Sequence, residues 1–510
     1  MSPELALGLS IGIPLFGTLF IALNAQYPNL RETVTLLTAT CLFLTVLSLL
    51  PHVSGGERPS LVILEIMPGL PLALQAEPLG MLFALVASGL WIVTSIYSIG
   101  YMRGHDEQNQ TRFYVCFAIA LSSTMGICFA GNMLTLFVFY EVLTLSTYPL
   151  VTHHGDDEAR RAGRVYLGIL ISTSIGFLLL AIIWTWMIAG TLDFTPGGIL
   201  GGKADGPVIG LLLFLYMYGI GKAALMPIHR WLPAAMVAPT PVSALLHAVA
   251  VVKAGVFTVV KVIVYIFGTD TLANMTQDDW LSWIAAFTLL TASVIAMTKD
   301  NLKARLAYST VSQLSYIILG ASLATGLGIV GSGMHIAMHA FGKITLFFCA
   351  GAIMVAAHRT EISQMDGLGK VMPFTYFAFL IGSLSVIGLP PLGGAWSKWY
   401  LMLGAVEADK IVFVVVLMVS SLLNVAYLLP VVARGFFAKA SPLPHGADGH
   451  AHAPASAGAA ATPAEHRGGG IHEAPWCCLI AMGVTSAGCV LLFFYAERIV
   501  ELLAPAAGIR

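Results

Sequence analysis

Residues 333–348 read GMHIAMHAFGKITLFF, an acid-free stretch inside an apolar run that extends over about 327–357. A helix needs about 20 mostly apolar residues to cross the hydrocarbon of a bilayer, and this run is longer. Three ionisable side chains interrupt it, His335, His339 and Lys343, spaced i, i+4 and i+8. An α-helix turns about 100° per residue, so the three fall within about 80° of one face and climb about 12 Å along it. Such a stack on a membrane helix suits the passage of protons. Two histidines one turn apart can also hold zinc, but no carboxylate or third ligand is near them in sequence. On the preceding span, Ser309, Thr310, Ser312, Gln313, Ser315 and Tyr316 supply hydrogen bonds or a lining for water.

The composition carries that reading to the whole chain. Of 510 residues 57% are hydrophobic and 10% are charged, with a mean hydropathy of +0.85. A soluble domain carries about 25% charged residues, so this is a polytopic, all-α membrane protein. A net charge of −1 gives no basic footprint for nucleic acid. The seven cysteines, Cys41, Cys116, Cys128, Cys349, Cys477, Cys478 and Cys489, lie in apolar stretches without a Cys-x-x-Cys pair. They read as buried hydrophobes rather than iron–sulfur or zinc ligands. A Gly-x-Gly-x-x-Gly at Gly326, Gly328 and Gly331 has no strand before it, which argues against a dinucleotide site. No cofactor and no metal are therefore expected in this chain, and any redox enzymology would reside on another. The N-terminus, MSPELALGLS, has Glu4 and no basic residue before its apolar run, so the first span is expected to be retained.

The twenty-residue ruler gives about fourteen transmembrane spans. Residues 439–473, rich in Ala, Gly, Pro and His, read as a disordered loop before the last one, and residues 474–510 as that span and the C-terminus. With the N-terminus placed outside, 15 of the 25 basic residues fall in cytoplasmic loops and 5 on the opposite side. That asymmetry puts both termini on the non-cytoplasmic side. The remaining five lie inside spans and are all lysines: Lys222, Lys253, Lys261, Lys343 and Lys398. Among the acids only Glu141 sits deep in an apolar run.

A charge near the bilayer centre costs at least about 2.5–3.5 kcal/mol, so such residues are functional candidates. Loss of water favours the neutral form of lysine or glutamate, and a neighbouring opposite charge favours the charged form. A row of lysines near an acid can thus hold and release protons; fixed ion pairs between helices are the structural alternative. Lys222 follows Gly219 and Gly221 and precedes Pro227, while Lys398 follows Pro390, Pro391, Gly393 and Gly394. Both spans are expected to break near their lysine, and paired broken helices in two halves point to an inverted-repeat transporter. His247 and Lys253 share the eighth span. Lys261, nearer its end, reads as a snorkelling or structural residue.

The runs FYEVLTLSTYPLV (139–151), GKAALMPIHRWLPAAMVAPTPVSALLHAVAVVKAGV (221–256), DNLKARLAYSTVSQLSYIILG (300–320), HIAMHAFGKITLFFCAG (335–351) and GLPPLGGAWSKWYL (388–401) carry a resemblance. Over about residues 75–435 the chain resembles the antiporter-like family. That family comprises proton-translocating membrane subunits of respiratory complex I, their relatives in membrane-bound hydrogenases, and Mrp-type cation/proton antiporters.

The resemblance implies two inverted five-helix repeats, spans 4–8 (111–268) and 9–13 (277–438), behind three N-terminal spans (1–110), with spans 7 and 12 broken. It implies that Glu141 pairs with Lys222, that Lys253 and His247 form a central connection, that His335, His339 and Lys343 continue it, and that Lys398 ends the path. Some family members have glutamate at that last position. It further implies a bacterial inner membrane and partner subunits that include homologous antiporter-like chains, with protons, and sodium or potassium in an antiporter, as the transported ions. The stretch YPLVTHHGDDEARRAGRVYLGIL (148–170) looks most like the D-type subunit of Mrp antiporters; a complex I or hydrogenase subunit is the alternative.

Overall fold

The computed structural model describes residues 1–274, 279–439 and 471–509, without the side chains of Leu246 and His247. The histidine-rich loop at 439–473 falls almost wholly outside the described residues. Among the described residues, ten helices are long and apolar enough to cross a membrane. They are α1 (Pro3–Leu23), α2 (Pro28–Ser54, with a turn near its end), α3 (Pro78–Gly104), α4 (Gln110–Cys128), α5 (Met133–Val151), α6 (Asp157–Ala189), α9 (Asp279–Thr298), α11 (Gly326–Ala357), α14 (Ile411–Phe437) and α15 (Trp476–Phe494). The short α16 (Ala496–Leu503) follows.

The other apolar stretches of the sequence form helices that are shorter or more polar. They are α7 (Gly206–Gly219), α8 (Val251–Val262), the polar α10 (Leu302–Ser322), and the pair α12 (Pro373–Ile387) and α13 (Gly394–Glu407). All four stretches carry members of the lysine and polar set singled out in the sequence. The same side chains that make them functional candidates spoil them as lipid-facing spans.

Helix starts follow local chemistry. The side chains of Ser2, Glu77, Asn132, Asp156, Asn301 and Thr325 accept backbone N–H groups at the starts of α1, α3, α5, α6, α10 and α11. Each satisfies a donor that the first turn would otherwise leave open. Between α2 and α3 lies an element absent from the span map, an antiparallel hairpin of β1 (Ser60–Met67) and β2 (Leu70–Gln75). Its sequence, SLVILEIM-PG-LPLALQ, is β-branched and turns at Gly69, whose φ of +80° suits glycine.

Helix α11 is the hub. It packs against α3, α8, α10, α12, α13 and α15, and nearly all of its length is buried. The periphery is inverted relative to a soluble protein. Leu15, Phe16 and Phe20 of α1 and Val415, Met418 and Leu422 of α14 are exposed, as lipid contact demands. Of the cysteines, Cys128, Cys349, Cys478 and Cys489 are buried as expected, whereas Cys41 is exposed among such outward-facing side chains.

Both interruptions anticipated in the sequence are present. Helix α7 stops at Gly219, and a single 3-10 turn, Gly221–Ala223, carries Lys222 before Ala224 adopts a left-handed φ of +55°. Helix α12 stops at Gly388, with φ +92°, and α13 resumes at Gly394. Close packing holds the first break in place. A Cβ built on Gly255 of α8 would collide with the backbone of Lys222 and Ala223. Gly255→Ala should therefore cost about 1–3 kcal/mol through forced displacement, read as a lower melting temperature of the detergent-purified protein than that of an Ala254→Gly control.

Candidate functional site

Lys222 is fully buried at the first break. Its Nζ donates to the Tyr140 carbonyl (2.8 Å) and to Thr144 Oγ1 (2.5 Å), and it lies 3.2 Å from the centroid of the Tyr140 ring. The break itself is stitched by two side chains: the Lys222 N–H donates to Tyr140 Oη (3.1 Å), and Trp231 Nε1 donates to the Gly221 carbonyl (2.9 Å), which also accepts the Ala224 N–H.

The resemblance implies a direct Glu141–Lys222 pair, and the structure does not form one. Among the described residues Glu141 has no ion pair within 4.0 Å, and both its carboxylate oxygens are buried without a hydrogen-bond partner. The reason is helical phase. Tyr140 and Thr144 lie one above the other on α5, while Glu141 points about 60–100° away from them. That places it on the flank where Val142 and Leu145 are exposed.

Lys253, Lys343 and Lys398 also sit in the interior, at 0%, 0% and 5% exposure. Lys253 Nζ lies 2.6 Å from His339 Nδ1. The rings of His339 and His335 stack at 5.8 Å and 13°, and His335 stacks in turn on Tyr316 at 5.4 Å. His335 Nδ1 contacts Ser397 Oγ (2.9 Å) and its Nε2 contacts Gln313 Oε1 (3.1 Å). Tyr316 Oη accepts from Lys398 Nζ at 3.4 Å.

Lys253, His339, His335, Tyr316 and Lys398 thus form one series of polar contacts, from α8 across α11 and α10 to α13. Lys343, one turn beyond His339, donates to Ser309 Oγ (2.6 Å), which also accepts from Tyr427 Oη (2.9 Å). His247 belongs to the π-turn Leu245–Val249 that precedes α8; its side chain lies outside the described residues.

Lys398 is held by the second break. Its Nζ donates to the Ile387 carbonyl (3.0 Å), an acceptor left open where α12 ends, and to Ser421 Oγ (3.0 Å). A cavity of about 710 Å³ opens beside it, lined by Trp396, Trp399, Leu417, Ser421 and Phe493 among others.

Sequence reasoning did not anticipate a further buried acid. Glu77, at the start of α3, is 2% exposed; its Oε1 lies 3.5 Å from Lys261 Nζ and its Oε2 accepts from Tyr265 Oη (2.8 Å). Lys261 therefore does not reach out to an aqueous surface. It donates inward to the Ala130 carbonyl (2.8 Å), 4.4 Å from the Phe194 ring centroid. The available signal was Glu77 itself, one residue before a proline that opens an apolar helix.

Residues 130–424 match the family model described as NADH:quinone oxidoreductase/Mrp antiporter, and residues 68–114 match that of the complex I chain 5 N-terminus. The chain is 33% identical to NADH-quinone oxidoreductase subunit N of Desulforudis audaxviator over 84% of its own length and 83% of that protein. It is 31% identical to a probable K(+)/H(+) antiporter subunit of Rhizobium meliloti, over 72% of this chain and 36% of that one. The chain spans about half the length of the NAD(P)H-quinone oxidoreductase chain 5 relatives, 51% of the one from Synechocystis. A chain of the Mrp complex from Dietzia sp. shares its fold at a TM-score of 0.85 and 22% identity, covering 100% of this chain and 97% of that one.

The Glu77–Lys261 pair is open to a stability test. Lys261→Met leaves a buried carboxylate without its cation and should cost about 3–5 kcal/mol, whereas replacing both partners by uncharged residues of similar volume can be nearly neutral. Thermal melting of Lys261→Met, Glu77→Gln and the double variant should show the double variant closer to the parent than Lys261→Met alone.

Proposed function

The chain belongs to the NADH:quinone oxidoreductase/Mrp antiporter family of membrane subunits, and from that premise we propose that it is a proton-translocating subunit of a multi-subunit membrane complex. The observation that carries the reading is the series Lys253, His339, His335, Tyr316 and Lys398, polar contacts strung laterally through a lipid-bounded helical body. Histidine and lysine can each give up and regain a proton in a desolvated site, which fixed arginine cannot do.

In this scheme Lys222, with Glu141 one helical step from it, loads the path, and Lys253 with His247 takes the proton to the centre of the chain. His335, His339 and Lys343 carry it onward, and Lys398 discharges it. The driving step is movement of the Lys222 ammonium from the Tyr140 carbonyl and Thr144 hydroxyl toward the unpartnered Glu141 carboxylate. Opposite charge stabilises a charged lysine, so making and breaking that approach changes how tightly Lys222 holds its proton. We assign residues 111–268 and 277–438 to the two repeats. Each carries one interrupted helix with a buried lysine at or just beyond its break, the pattern expected of inverted repeats.

The first reading of the assembly is an Mrp-type monovalent cation/proton antiporter. This chain is then its D-type subunit, working with other membrane subunits that include homologous antiporter-like chains. Likeness to the Rhizobium antiporter protein over 72% of the chain supports it. A proton-pumping subunit of a complex I-like NADH-quinone oxidoreductase is the second reading, favoured by the 33% identity to subunit N over 84% of the chain. In either case we assign the protein to a bacterial inner membrane with both termini away from the cytoplasm, a sidedness supported by the 15-to-5 division of basic residues.

Purification of the tagged chain in mild detergent separates the two assemblies. Co-purifying flavin or iron–sulfur absorption identifies the redox-driven pump; a colourless set of small membrane proteins with a larger homologous chain identifies the antiporter. For the mechanism, Glu141→Gln and Lys222→Ala should each lower proton transport in vesicles more than tenfold while the complex still assembles. Wild-type flux through a fully assembled Glu141→Gln complex would overturn the scheme. Tyr316→Phe keeps the ring that stacks on His335 and removes the hydroxyl that faces Lys398. It should slow transport about tenfold, the loss expected for one hydrogen bond to a charged group, in the same flux assay.

A further inference from the structure

The path from Lys222 to Lys398 begins in the membrane interior, and protons must reach it from water. The turn between α3 and α4 holds another buried carboxylate, Glu107, only 8% exposed. Asp106 and Asn109 bracket it with left-handed φ values of 50° and 55°. Asp and Asn tolerate that conformation better than most residues, and here it folds the glutamate inward.

Three imidazoles surround the carboxylate. His105 Nδ1 lies 3.3 Å from Oε1; His153 Nε2 and His154 Nδ1 lie 3.7 and 3.8 Å from Oε2. Glu107 Oε1 and both ring nitrogens of His153 are buried without a hydrogen-bond partner. The two outer rings reach water, with side-chain exposures of 29% for His105 and 37% for His154. The histidines come from separate elements, the end of α3 and the α5–α6 turn. The latter turn is clamped by Arg112 of α4, which donates to the His153 carbonyl (2.7 Å).

Behind Glu107 lies a cavity of about 140 Å³, room for several waters. Tyr101, Thr240, Lys303, Arg359 and Ala350 line it together with Glu107, His105 and His154. Ala350 lies seven residues beyond Lys343 on α11, about 10 Å along the helix. Lys303 starts α10 six residues before Ser309, the acceptor of the Lys343 ammonium.

We propose that Glu107, with His105, His153 and His154, is a station that collects protons from the aqueous phase and delivers them through this cavity to Lys343, a second entrance to the path besides the loading site at Lys222. The inference rests on the proton-translocating function and deepens it. Among the described residues, the charged and titratable groups around Glu107 and its cavity are Tyr101 and His105 from α3, His153 and His154 from the α5–α6 turn, with Arg112 of α4 on the His153 carbonyl, Lys303 from α10 and Arg359 beyond α11. On the sidedness assigned from the basic residues, all of them lie at the cytoplasmic face.

The chemistry fits uptake. His105 and His154 present their rings to water, and the Glu107 carboxylate lies within 4 Å of both. Burial, then Arg112 and His154, push His153 down to about 4, so at neutral pH its ring is uncharged. It can therefore take a proton only in passing, as a relay requires. The proton crosses as H⁺ from imidazolium to carboxylate to cavity water, and no other bond changes.

A collecting station limits flux when protons are scarce. In vesicles bearing the whole assembly, Glu107→Gln should lower proton transport about tenfold near pH 8 and far less near pH 6, while Glu107→Asp keeps most of the rate at both. His154→Gln, an outer and partly exposed substitution, should show the same pH-dependent shape at smaller size, and it decides the matter if Glu107→Gln fails to assemble. Loss of equal size at both pH values marks a purely structural cluster and overturns the proposal, as does wild-type flux at both. Lys343→Ala in the same vesicles separates the two levels. If it abolishes flux while Glu107→Gln does not alter it, only the collecting station fails; if neither variant alters flux, the function itself does.

Discussion

An ammonium group placed inside a membrane protein must replace its water with something. Lys222, Lys253, Lys261 and Lys343 are completely buried and Lys398 nearly so. Each finds oxygen or nitrogen acceptors: two oxygens for Lys222, a histidine nitrogen for Lys253, a carboxylate and a carbonyl for Lys261, a hydroxyl for Lys343, and a carbonyl with two hydroxyls for Lys398. A charge left bare at that depth costs at least about 2.5–3.5 kcal/mol. One hydrogen bond to a charged group returns about 1.5–3 kcal/mol. Two acceptors therefore hold a charged lysine, whereas one neutral acceptor leaves it close to balance. Lys253, at the start of the series, and Lys343, beside it, have a single neutral acceptor each among these contacts. Groups poised between two protonation states are the ones able to pass a proton on.

That requirement orders the rest of the fold. Helices carrying lysines or runs of hydroxyls cannot face lipid, so the apolar helices α1, α2, α6, α14 and α15 wrap them. The breaks in α7 and between α12 and α13 serve the same need. An interrupted helix exposes carbonyls that an intact one would consume, and the Ile387 carbonyl becomes a ligand of Lys398. At the other break the Gly221 carbonyl accepts from the Ala224 N–H and Trp231 Nε1 instead, and Lys222 turns to the carbonyl and hydroxyl of α5. The two breaks resemble each other in sequence and differ in which oxygen holds the lysine.

The histidine stack of α11 was legible because helical spacing alone sets it. So were the two breaks, since glycine and proline act locally. The polar face of α10 was legible too, and Gln313, Tyr316 and Ser309 contact His335, Lys398 and Lys343. What stayed hidden depended on phase or on distant segments. Glu141 and Lys222 stand out in any reading of the sequence, yet a rotation of about 60–100° around α5 decides that Thr144 and the Tyr140 carbonyl, not Glu141, meet the lysine. Glu77 and Lys261 are 184 positions apart, and only the packing of α3 beside the end of α8 makes them partners. The Glu107 cluster draws on two separate turns and would pass in the sequence for ordinary loop charge. The hairpin between α2 and α3 escaped because SLVILEIM is short enough to read as neither span nor loop.

The series of polar contacts starts at Lys253, and Lys222 is not in hydrogen-bond contact with it. The coupling between them is steric. Gly255 lies two residues beyond Lys253 on α8, with no room for a methyl group between it and the Lys222–Ala223 backbone. A dense interior transmits displacement rather than absorbing it. A shift of the 3-10 turn toward α8 would therefore press on the backbone at Gly255, two residues from Lys253, whose Nζ lies 2.6 Å from His339. In the proposed scheme the first break would act on the relay through backbone contact, and the relay would reach Lys398 through hydrogen bonds and stacked rings. Breaking the helix at Lys222 is what makes this possible: a continuous helix would resist the local shift, and a flexible loop would not pass it on.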